Sequence, residues 1–283
     1  MVEIGLGLIA AFAWGFHDFF VRIVVRQINI FTALLFSSCV GIFGLVSILV
    51  YFKEPLFVSQ TFLLISILYG VLFITATCSL FLAFQQGPVF VAAPIICSYP
   101  LLSLLYAALL GAPPTTNQWL LSGLVIFGLS LTVFPQINKH SKKESSMFPT
   151  IFWSVVAAVL FSLAFYFGQN QIIHGNEIFS NLLARLTAIV ILYSFNFGKS
   201  ISLKIRFDQI LILVFMGFAD TFALTLMVYS GNFSNPEFSS VSASIFGLIT
   251  IILVCIFYRE RLSVPQVLGV GLVFLSIGIL SLG

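Results

Sequence analysis

Four ionisable side chains lie within segments of the sequence that are otherwise almost wholly apolar: His17 and Asp18 share one segment, and Arg185 and Asp220 lie in two later ones. An ionisable group costs about 2.5–3.5 kcal/mol to insert at the centre of a membrane helix, so such residues commonly mark binding sites or proton pathways. A carboxylate beside an imidazole can bind a cationic amine or carry a proton. These residues are therefore the first candidates for a functional site.

Trp14 precedes His17 and Asp18 by three and four residues, which places the three side chains on one side of a helix. In one interpretation, the pair binds a cationic group or a proton. In the other, His17 only hydrogen-bonds a neighbouring helix, and Arg22, one turn further on, neutralises Asp18. The sequence leaves both interpretations open.

Asp220 borders the helical face that Thr221 and Thr225 share, because successive residues of a helix are about 100° apart. This pattern predicts a polar lining to which Asp220 contributes a substrate or proton site. The alternative is structural: Asp220 and Arg185, both near the middle of their segments, form an ion pair that holds two helices together.

Other polar and aromatic side chains in the apolar segments are weaker candidates, because Ser and Thr in membrane helices are often packing contacts. They are Tyr69, Thr77, Ser98, Tyr99, Ser162, Tyr166, Gln169, Ser240 and Ser244. Pro94 and Pro100 flank two of these and predict a kink or hinge there.

The composition indicates which elements position these residues. Of the 283 residues, 60% are hydrophobic and 7% are charged, with a formal net charge of +3, whereas soluble domains contain about 25% charged residues. This composition excludes a water-soluble domain and leaves no room for a separate catalytic or nucleic-acid-binding one. The four cysteines show no metal-binding or redox spacing, so neither a metal nor another cofactor is expected.

Apolar runs of about 20 residues are long enough to cross a bilayer as helices, which satisfy their own backbone hydrogen bonds. The sequence therefore predicts an all-α polytopic membrane protein with ten transmembrane helices. Their expected spans are 4–24, 30–52, 62–85, 89–110, 117–136, 149–170, 177–197, 208–231, 238–258 and 264–282.

The chain also resembles itself at an offset of 147 residues, or 148 after a one-residue slip. Residues 91–100 align with 238–247, and further aligned pairs are Ala10 with Ala157, Ala11 with Ala158, Gly70 with Gly217, Gln118 with Gln266 and Gly123 with Gly271. The register predicts a five-helix repeat at 1–137, a basic linker at 138–148 and a second five-helix repeat at 149–283. An odd number of helices per repeat predicts opposite orientations in the membrane, as in many transporters.

Several stretches resemble the drug/metabolite transporter superfamily, in its ten-helix EamA-type branch. They are Trp14-Gly15, Gln86-Gly87-Pro88, Val91 to Pro94, Ser98 to Leu101, and Tyr258 to Ser263 followed by Gln266 and Gly269. The resemblance covers nearly the whole chain. One departure is Gly111-Ala112, where the family usually has Gly-Glu, although the second repeat keeps Glu260.

The resemblance implies a secondary transporter of small metabolites, often an exporter of amino acids or related compounds. It also implies a central cavity lined by the first, third, fourth, sixth, eighth and ninth helices. The expected partners are a small-molecule substrate and the lipid bilayer, not nucleic acid. Alternating access around a central site is the leading hypothesis, and a channel-like or scaffold membrane protein is the alternative. No phosphate-binding loop or hydrolase motif is present, so no enzyme activity is expected.

Basic residues of short loops mark the cytoplasmic side of a membrane protein. Lys53 alone lies on one side, and the other side carries Arg22, Arg26, Lys139, Lys142, Lys143, Lys199, Lys204, Arg206, Arg259 and Arg261. The count predicts that both termini lie outside the cytoplasm, whereas the resembled family more often has both inside. The expected location is the cell membrane, which is the inner membrane in a Gram-negative bacterium.

Overall fold

A computed structural model describes residues 2–53, 58–102, 105, 115–140, 147–170, 172, 176–195, 205–234, 236–259 and 262–280. Within these ranges the chain is almost entirely helical and has no strand. Parts of the sequence predictions lie outside the described residues: the ends of three predicted helices at 106–110, 196–197 and 281–282, linker residues 141–146, and Gly111, Ala112, Lys199, Lys204, Glu260 and Arg261.

In the described part of the first half, five helices are defined. They are α1 (Val2–Val24), α2 (Ile30–Phe52), α3 (Gln60–Gln86), α4 (Val89–Ile96) and α5 (Thr116–His140). The predicted spans agree with α1, α2 and α3 to within two residues at either end. The last helix, α5, continues four residues beyond the predicted 136 and into the predicted linker.

The second half repeats this order, with its fourth helix in two pieces. The helices are α6 (Phe148–Asn170), α7 (Glu177–Phe195), α8 (Phe207–Tyr229), α9 (Glu237–Ala243), α10 (Phe246–Tyr258) and α11 (Val264–Leu280). A short 3₁₀ turn, Ser230–Asn232, follows α8.

Seven of the described helical segments are long and apolar enough to cross a membrane, and three shorter apolar ones accompany them. Large apolar side chains point outward, such as Phe43 at 71% exposure and Val50 at 71%. A surface of this kind suits lipid rather than water. The protein is thus a multi-pass α-helical membrane protein, as the composition predicts.

Two helices are interrupted at equivalent positions of the repeat. In the first half, α4 ends at Ile96, residues 97–98 form a turn, and helical backbone resumes at 99–102. In the second half, residues 244–245 separate α9 from α10, and they lie 147 positions after the first turn. The sequence predicts a kink or hinge near Pro94 and Pro100 in the first span, where the turn lies, but it predicts the second span, 238–258, as one helix, and the structure corrects that prediction.

Serine hydroxyls accompany both interruptions. Ser98 Oγ donates to the Ile95 carbonyl at 2.6 Å, and Ser244 Oγ donates to the Val241 carbonyl at 2.7 Å. Such bonds offer a carbonyl a partner other than the next helical N–H. The two interrupted helices also touch each other, because a Cβ atom placed on Gly247 would lie 2.4 Å from Cys97 Sγ.

Helices of the first half pack directly against helices of the second half. Helix α1 packs against α8, α9 and α10 of the second half, and α3 packs against α6 and α7. In the repeat, α1 is equivalent to α6 and α3 is equivalent to α8, so the α1–α8 and α3–α6 contacts are equivalent. The buried core therefore lies between the halves, with fully buried side chains such as Tyr69, Phe81 and Tyr99.

Candidate functional site

A small cavity of about 20 Å³ lies at the centre of the protein, where helices from both halves meet. Its walls come from α1, α3, α6, α8 and α10. The residues that line it are Trp14, His17, Asp18, Phe73, Thr77, Leu80, Phe161, Phe165, Asp220 and Phe246.

The repeat register pairs most of these lining residues with one another. At the offset of 147, Trp14 corresponds to Phe161, Asp18 to Phe165, and Phe73 to Asp220. Six of the ten lining residues are thus three pairs of equivalent positions. Equivalent residues of the two halves therefore line the same cavity. In two of the three pairs, one residue is a carboxylate and the other is a phenyl ring.

Asp220 has partners for both of its carboxylate oxygens. Trp14 Nε1 donates to Asp220 Oδ1 at 2.9 Å. Arg185 Nη2 lies 2.7 Å from Asp220 Oδ2, and both side chains are about 5% exposed. The guanidinium carbon of Arg185 also lies 5.7 Å from the centroid of the Phe73 ring, which is within the range of a cation–π interaction.

Only one of the two carboxylate oxygens of Asp18 has a hydrogen-bond partner among the described residues. His17 Nδ1 lies 2.9 Å from Asp18 Oδ1, and Asp18 as a whole is 2% exposed. Among the described residues, Asp18 Oδ2 has no hydrogen-bond partner. A buried carboxylate oxygen is strongly stabilised by a hydrogen-bond donor. Asp18 Oδ2 is therefore a strong acceptor for a donor group that enters the cavity.

The remaining wall of the cavity is aromatic. The Trp14 ring lies 5.6 Å from Phe165 and 6.0 Å from Phe246, measured between centroids. Phe161 stacks on Phe165 at 5.8 Å and meets Phe73 edge-on at 5.7 Å. Aromatic faces carry partial negative charge, so this wall and Asp18 favour the same sign of ligand.

A second polar network joins the end of α6 to the start of α9. Gln169 Nε2 donates to Ser239 Oγ at 2.9 Å and to Ser230 Oγ at 3.1 Å. Gln169 Oε1 accepts a hydrogen bond from Ser240 Oγ at 2.9 Å. Tyr99 extends the network by donating from its hydroxyl to the Ser240 carbonyl. Gln169, Tyr99 and Ser240 thus connect helices rather than line the cavity.

A third network surrounds Tyr69 on α3. Its hydroxyl donates to Asn181 Oδ1 at 3.0 Å, and Asn181 Nδ2 donates to Thr225 Oγ1 at 3.3 Å. Asn181 is not among the candidates that the sequence identifies. Its spacing from Arg185 could have identified it, since Asn181 lies one helical turn before Arg185 and faces the same side of the helix.

The other predicted residues are dispersed. Thr77 lines the cavity, but its hydroxyl donates to the Phe73 carbonyl at 2.8 Å. Thr221 Oγ1 is buried without a hydrogen-bond partner in the described part of the chain. Ser98 lines a separate apolar groove between α4, α5 and α6, and Tyr166 is 40% exposed.

Of the sequence candidates, the structure thus brings Trp14, His17, Asp18, Thr77 and Asp220 together. The phenylalanines of the cavity are not among those candidates. Two of them, Phe73 and Phe165, could have been found as the positions equivalent to Asp220 and Asp18. In the described ranges, no three His, Cys, Asp or Glu side chains are close enough to hold a metal ion.

Comparisons with known proteins agree with this architecture. A protein of Archaeoglobus fulgidus described as an uncharacterized transporter is 26% identical to the chain over 291 residues, covering 100% of this chain and 99% of that protein. A crystal structure of another protein is similar over 100% of this chain and 99% of the other, with a TM-score of 0.73 and 13% identity. That likeness is one of fold.

The EamA-like transporter family matches the sequence twice, over residues 1–134 and 148–282. The two matches leave out only a short stretch between the halves and the last residue. Together with the apolar helices of the described residues, seven of them long enough to cross a membrane, they make the protein a membrane transporter: the chain belongs to the EamA-like transporter family of the drug/metabolite transporter superfamily.

Proposed function

We propose that this protein is a secondary transporter that carries a small metabolite across the membrane by alternating access, with the central cavity as its binding site. The observation that supports this most is Asp18 Oδ2, a buried acceptor without a partner among the described residues, in a cavity at the junction of the two halves. A structural carboxylate would be expected to have both oxygens satisfied, as those of Asp220 are.

The repeat supports the alternating-access part of the proposal. Two equivalent halves of opposite orientation can exchange roles, so that the same site opens first to one side and then to the other. The interruptions at residues 97–98 and 244–245 give both halves a short non-helical segment, and the second one directly precedes Phe246 of the cavity wall. Interrupted helices near a central site are a common feature of such transporters.

The proposed location is the cell membrane, with both termini outside the cytoplasm. The count of basic loop residues favours this orientation, with Lys53 alone on the opposite side. A reporter enzyme that is active only in the cytoplasm, fused to the C-terminus, should be inactive. Activity of that fusion would reverse the orientation and leave the transport proposal unaffected.

The transport proposal is tested with purified protein in proteoliposomes. A panel of metabolites is first screened by thermal shift, and each stabilising compound is then assayed for counterflow, in which labelled substrate enters against unlabelled substrate inside. Counterflow should saturate in the wild type and fall at least tenfold in Asp18→Asn. Asp208→Asn is the matched control, because Asp208 lies on the surface in an exposed pair with Arg206.

A channel gives a different result. It would conduct passively, would show no saturable counterflow, and would need no exchange partner on the far side. Passive flux without counterflow would therefore refute the carrier and favour the channel. Normal transport by Asp18→Asn would instead place the binding site elsewhere.

A further inference from the structure

From the residues that line the cavity, we infer that the substrate is an organic monocation, a protonated amine, and that its ammonium group binds Asp18 Oδ2 against the ring of Phe165. This inference rests on the proposed function and specifies the substrate class of the same site. It differs from the amino-acid substrate that the family resemblance implies.

The first step is the composition of the two carboxylate–phenyl pairs. Asp220 and Phe73 occupy equivalent positions of the repeat, and so do Asp18 and Phe165. All four side chains line one cavity. Each pair combines a negative charge with an aromatic face, and that combination suits a cation with apolar parts.

The second step is that one pair already binds a cation of the protein itself. The Arg185 guanidinium contacts Asp220 Oδ2 at 2.7 Å and lies over the Phe73 ring at 5.7 Å. The Asp220–Phe73 pair is thus occupied. It shows, within this structure, how such a pair binds a positive group.

The third step is that the other pair lacks such a cation. Asp18 uses Oδ1 to contact His17, and Oδ2 has no hydrogen-bond partner among the described residues. Arg22, one turn further along α1, is not one of the side chains that line the cavity. An N–H donor from the substrate would satisfy the free oxygen, so a protonated amine fits better than a quaternary ammonium ion, which has no N–H.

The fourth step is the charge balance, which argues against a zwitterion. Two carboxylates, Asp18 and Asp220, line the cavity and one guanidinium, that of Arg185, pairs with Asp220, so these three groups carry a net charge of −1. A monocation would neutralise it. A zwitterionic amino acid would add a carboxylate beside Asp18 and Asp220 and leave the net charge at −1, and the Arg185 guanidinium already forms an ion pair with Asp220. Arg185 Nε has no hydrogen-bond partner among the described residues, but Arg185 is not one of the residues that line the cavity. Burying that extra charge without a partner is strongly unfavourable.

The test uses four probes that share a phenyl ring and a two-carbon chain: 2-phenylethylamine, phenylalanine, 3-phenylpropionate and 2-phenylethanol. Each is titrated against the purified full-length protein by thermal shift, and then as an inhibitor of counterflow. The amine should raise the melting temperature and bind at least tenfold more tightly than the other three. Asp18→Asn should lose at least tenfold in amine affinity, Phe165→Leu should lose severalfold, and Asp208→Asn should be unchanged.

Tighter binding of phenylalanine than of 2-phenylethylamine, or binding of none of the four probes, would overturn the inference. Equal binding of 2-phenylethanol would also overturn it, because the charge would then contribute nothing. Failure of the two proposals can be told apart. A panel metabolite with Asp18-dependent counterflow that 2-phenylethylamine does not inhibit leaves the transporter standing and refutes the amine. Asp18-dependent amine binding without any saturable counterflow supports the amine site and refutes the carrier.

Discussion

Arg185 Nη2 lies 2.7 Å from Asp220 Oδ2 in the interior of a membrane protein, and the same guanidinium lies over Phe73. The contact joins α7 to α8 and reaches across to α3 of the other half. The sequence leaves a structural and a functional interpretation of Asp220 open, and the geometry is compatible with both at once. Asp220 is paired, yet it still lines the cavity.

Breaking this pair on one side only should destabilise the protein strongly. Arg185→Gln leaves the buried Asp220 charge uncompensated, which typically costs about 3–5 kcal/mol. The double variant Arg185→Gln with Asp220→Asn removes both charges and should recover much of that loss. Thermal unfolding in detergent for the wild type, both single variants and the double variant gives the coupling energy.

The matched control is the exposed pair of Arg206 and Asp208, whose side chains are 77% and 59% exposed. Exposed pairs contribute less than about 1 kcal/mol, so Arg206→Gln should hardly change the melting temperature. Additive effects of Arg185→Gln and Asp220→Asn would contradict a direct interaction.

Replacing Trp14 by Phe should distinguish the contribution of its hydrogen bond to stability from the contribution of its aromatic ring. The variant keeps an aromatic side chain against Phe165 but removes the N–H that donates to Asp220 Oδ1. A hydrogen bond to a charged group contributes about 1.5–3 kcal/mol, and Trp14→Phe should lose that much stability. Trp119→Phe, at a half-exposed position, should change the stability by less than about 0.5 kcal/mol. Equal effects of the two variants would show that the bond to Asp220 is unimportant.

The contact between the interrupted helices requires glycine at position 247. A Cβ atom there would lie 2.4 Å from Cys97 Sγ, and its next neighbours, both atoms of Ala93, would be 3.4 Å away. Gly247→Ala should therefore destabilise the protein by about 1–3 kcal/mol through overpacking. Adding Cys97→Ala removes the clashing sulfur and should restore stability.

Gly271→Ala on α11 provides the control, because a Cβ atom placed on Gly271 would have no neighbour within 4 Å among the described residues. Alanine favours a helix over glycine by about 1 kcal/mol, so this variant should be neutral or slightly more stable. Failure of Cys97→Ala to rescue Gly247→Ala would show that the helices do not touch at this point.

Gln169 should matter more for joining helices than for binding. Gln169→Leu keeps the size of the side chain but removes its bonds to Ser230, Ser239 and Ser240. At about 1 kcal/mol for each lost bond, unfolding should become easier by about 2–3 kcal/mol. The neighbouring Asn170→Leu, on an exposed side chain, is the control. If Gln169→Leu retained full stability but lost substrate affinity, Gln169 would belong to the binding site instead.

Acidification should weaken the binding of the amine probe. A proton on Asp18 removes the charge that attracts the ammonium group, so the proton and the probe compete for the same carboxylate. Between pH 7.5 and pH 5, at which the probe itself stays protonated, the dissociation constant for 2-phenylethylamine should rise by at most about tenfold per pH unit for each proton involved. Thermal-shift titrations at several pH values measure this, and tighter binding at pH 5 would contradict competition with a proton.

Much of the fold could be predicted from the sequence because lipid restricts the choice of structure. A span of apolar residues must be a helix, and residues such as Asn29 and Ser59 accept an N–H bond at the first turn of α2 and α3. The interruptions were harder to predict. Pro94 and Pro100 flank the first one, but the equivalent positions in the second half are Val241 and Gly247, so proline alone does not cause it.

The site could be predicted only in part. Charge in an apolar segment identifies Asp18, His17, Arg185 and Asp220 without any structure, because burying charge is costly. Which carboxylate is paired depends on contacts between helices that are far apart in sequence, and a periodic pattern contains no such information. Phenylalanine gives still less signal, since 33 of them occur in this chain and most positions suit lipid as well as a cavity.

The pairing of Asp18 with Phe165 and of Asp220 with Phe73 also bears on the origin of the chain. In a dimer of two identical five-helix proteins, every substitution appears twice, so a carboxylate at either position would face its own copy across the symmetry axis and repel it. Joining the two copies in one gene removes this constraint, because each position can then change alone. In the single chain, each of these two pairs of equivalent positions combines a carboxylate with a phenyl ring, a combination that two identical copies cannot contain.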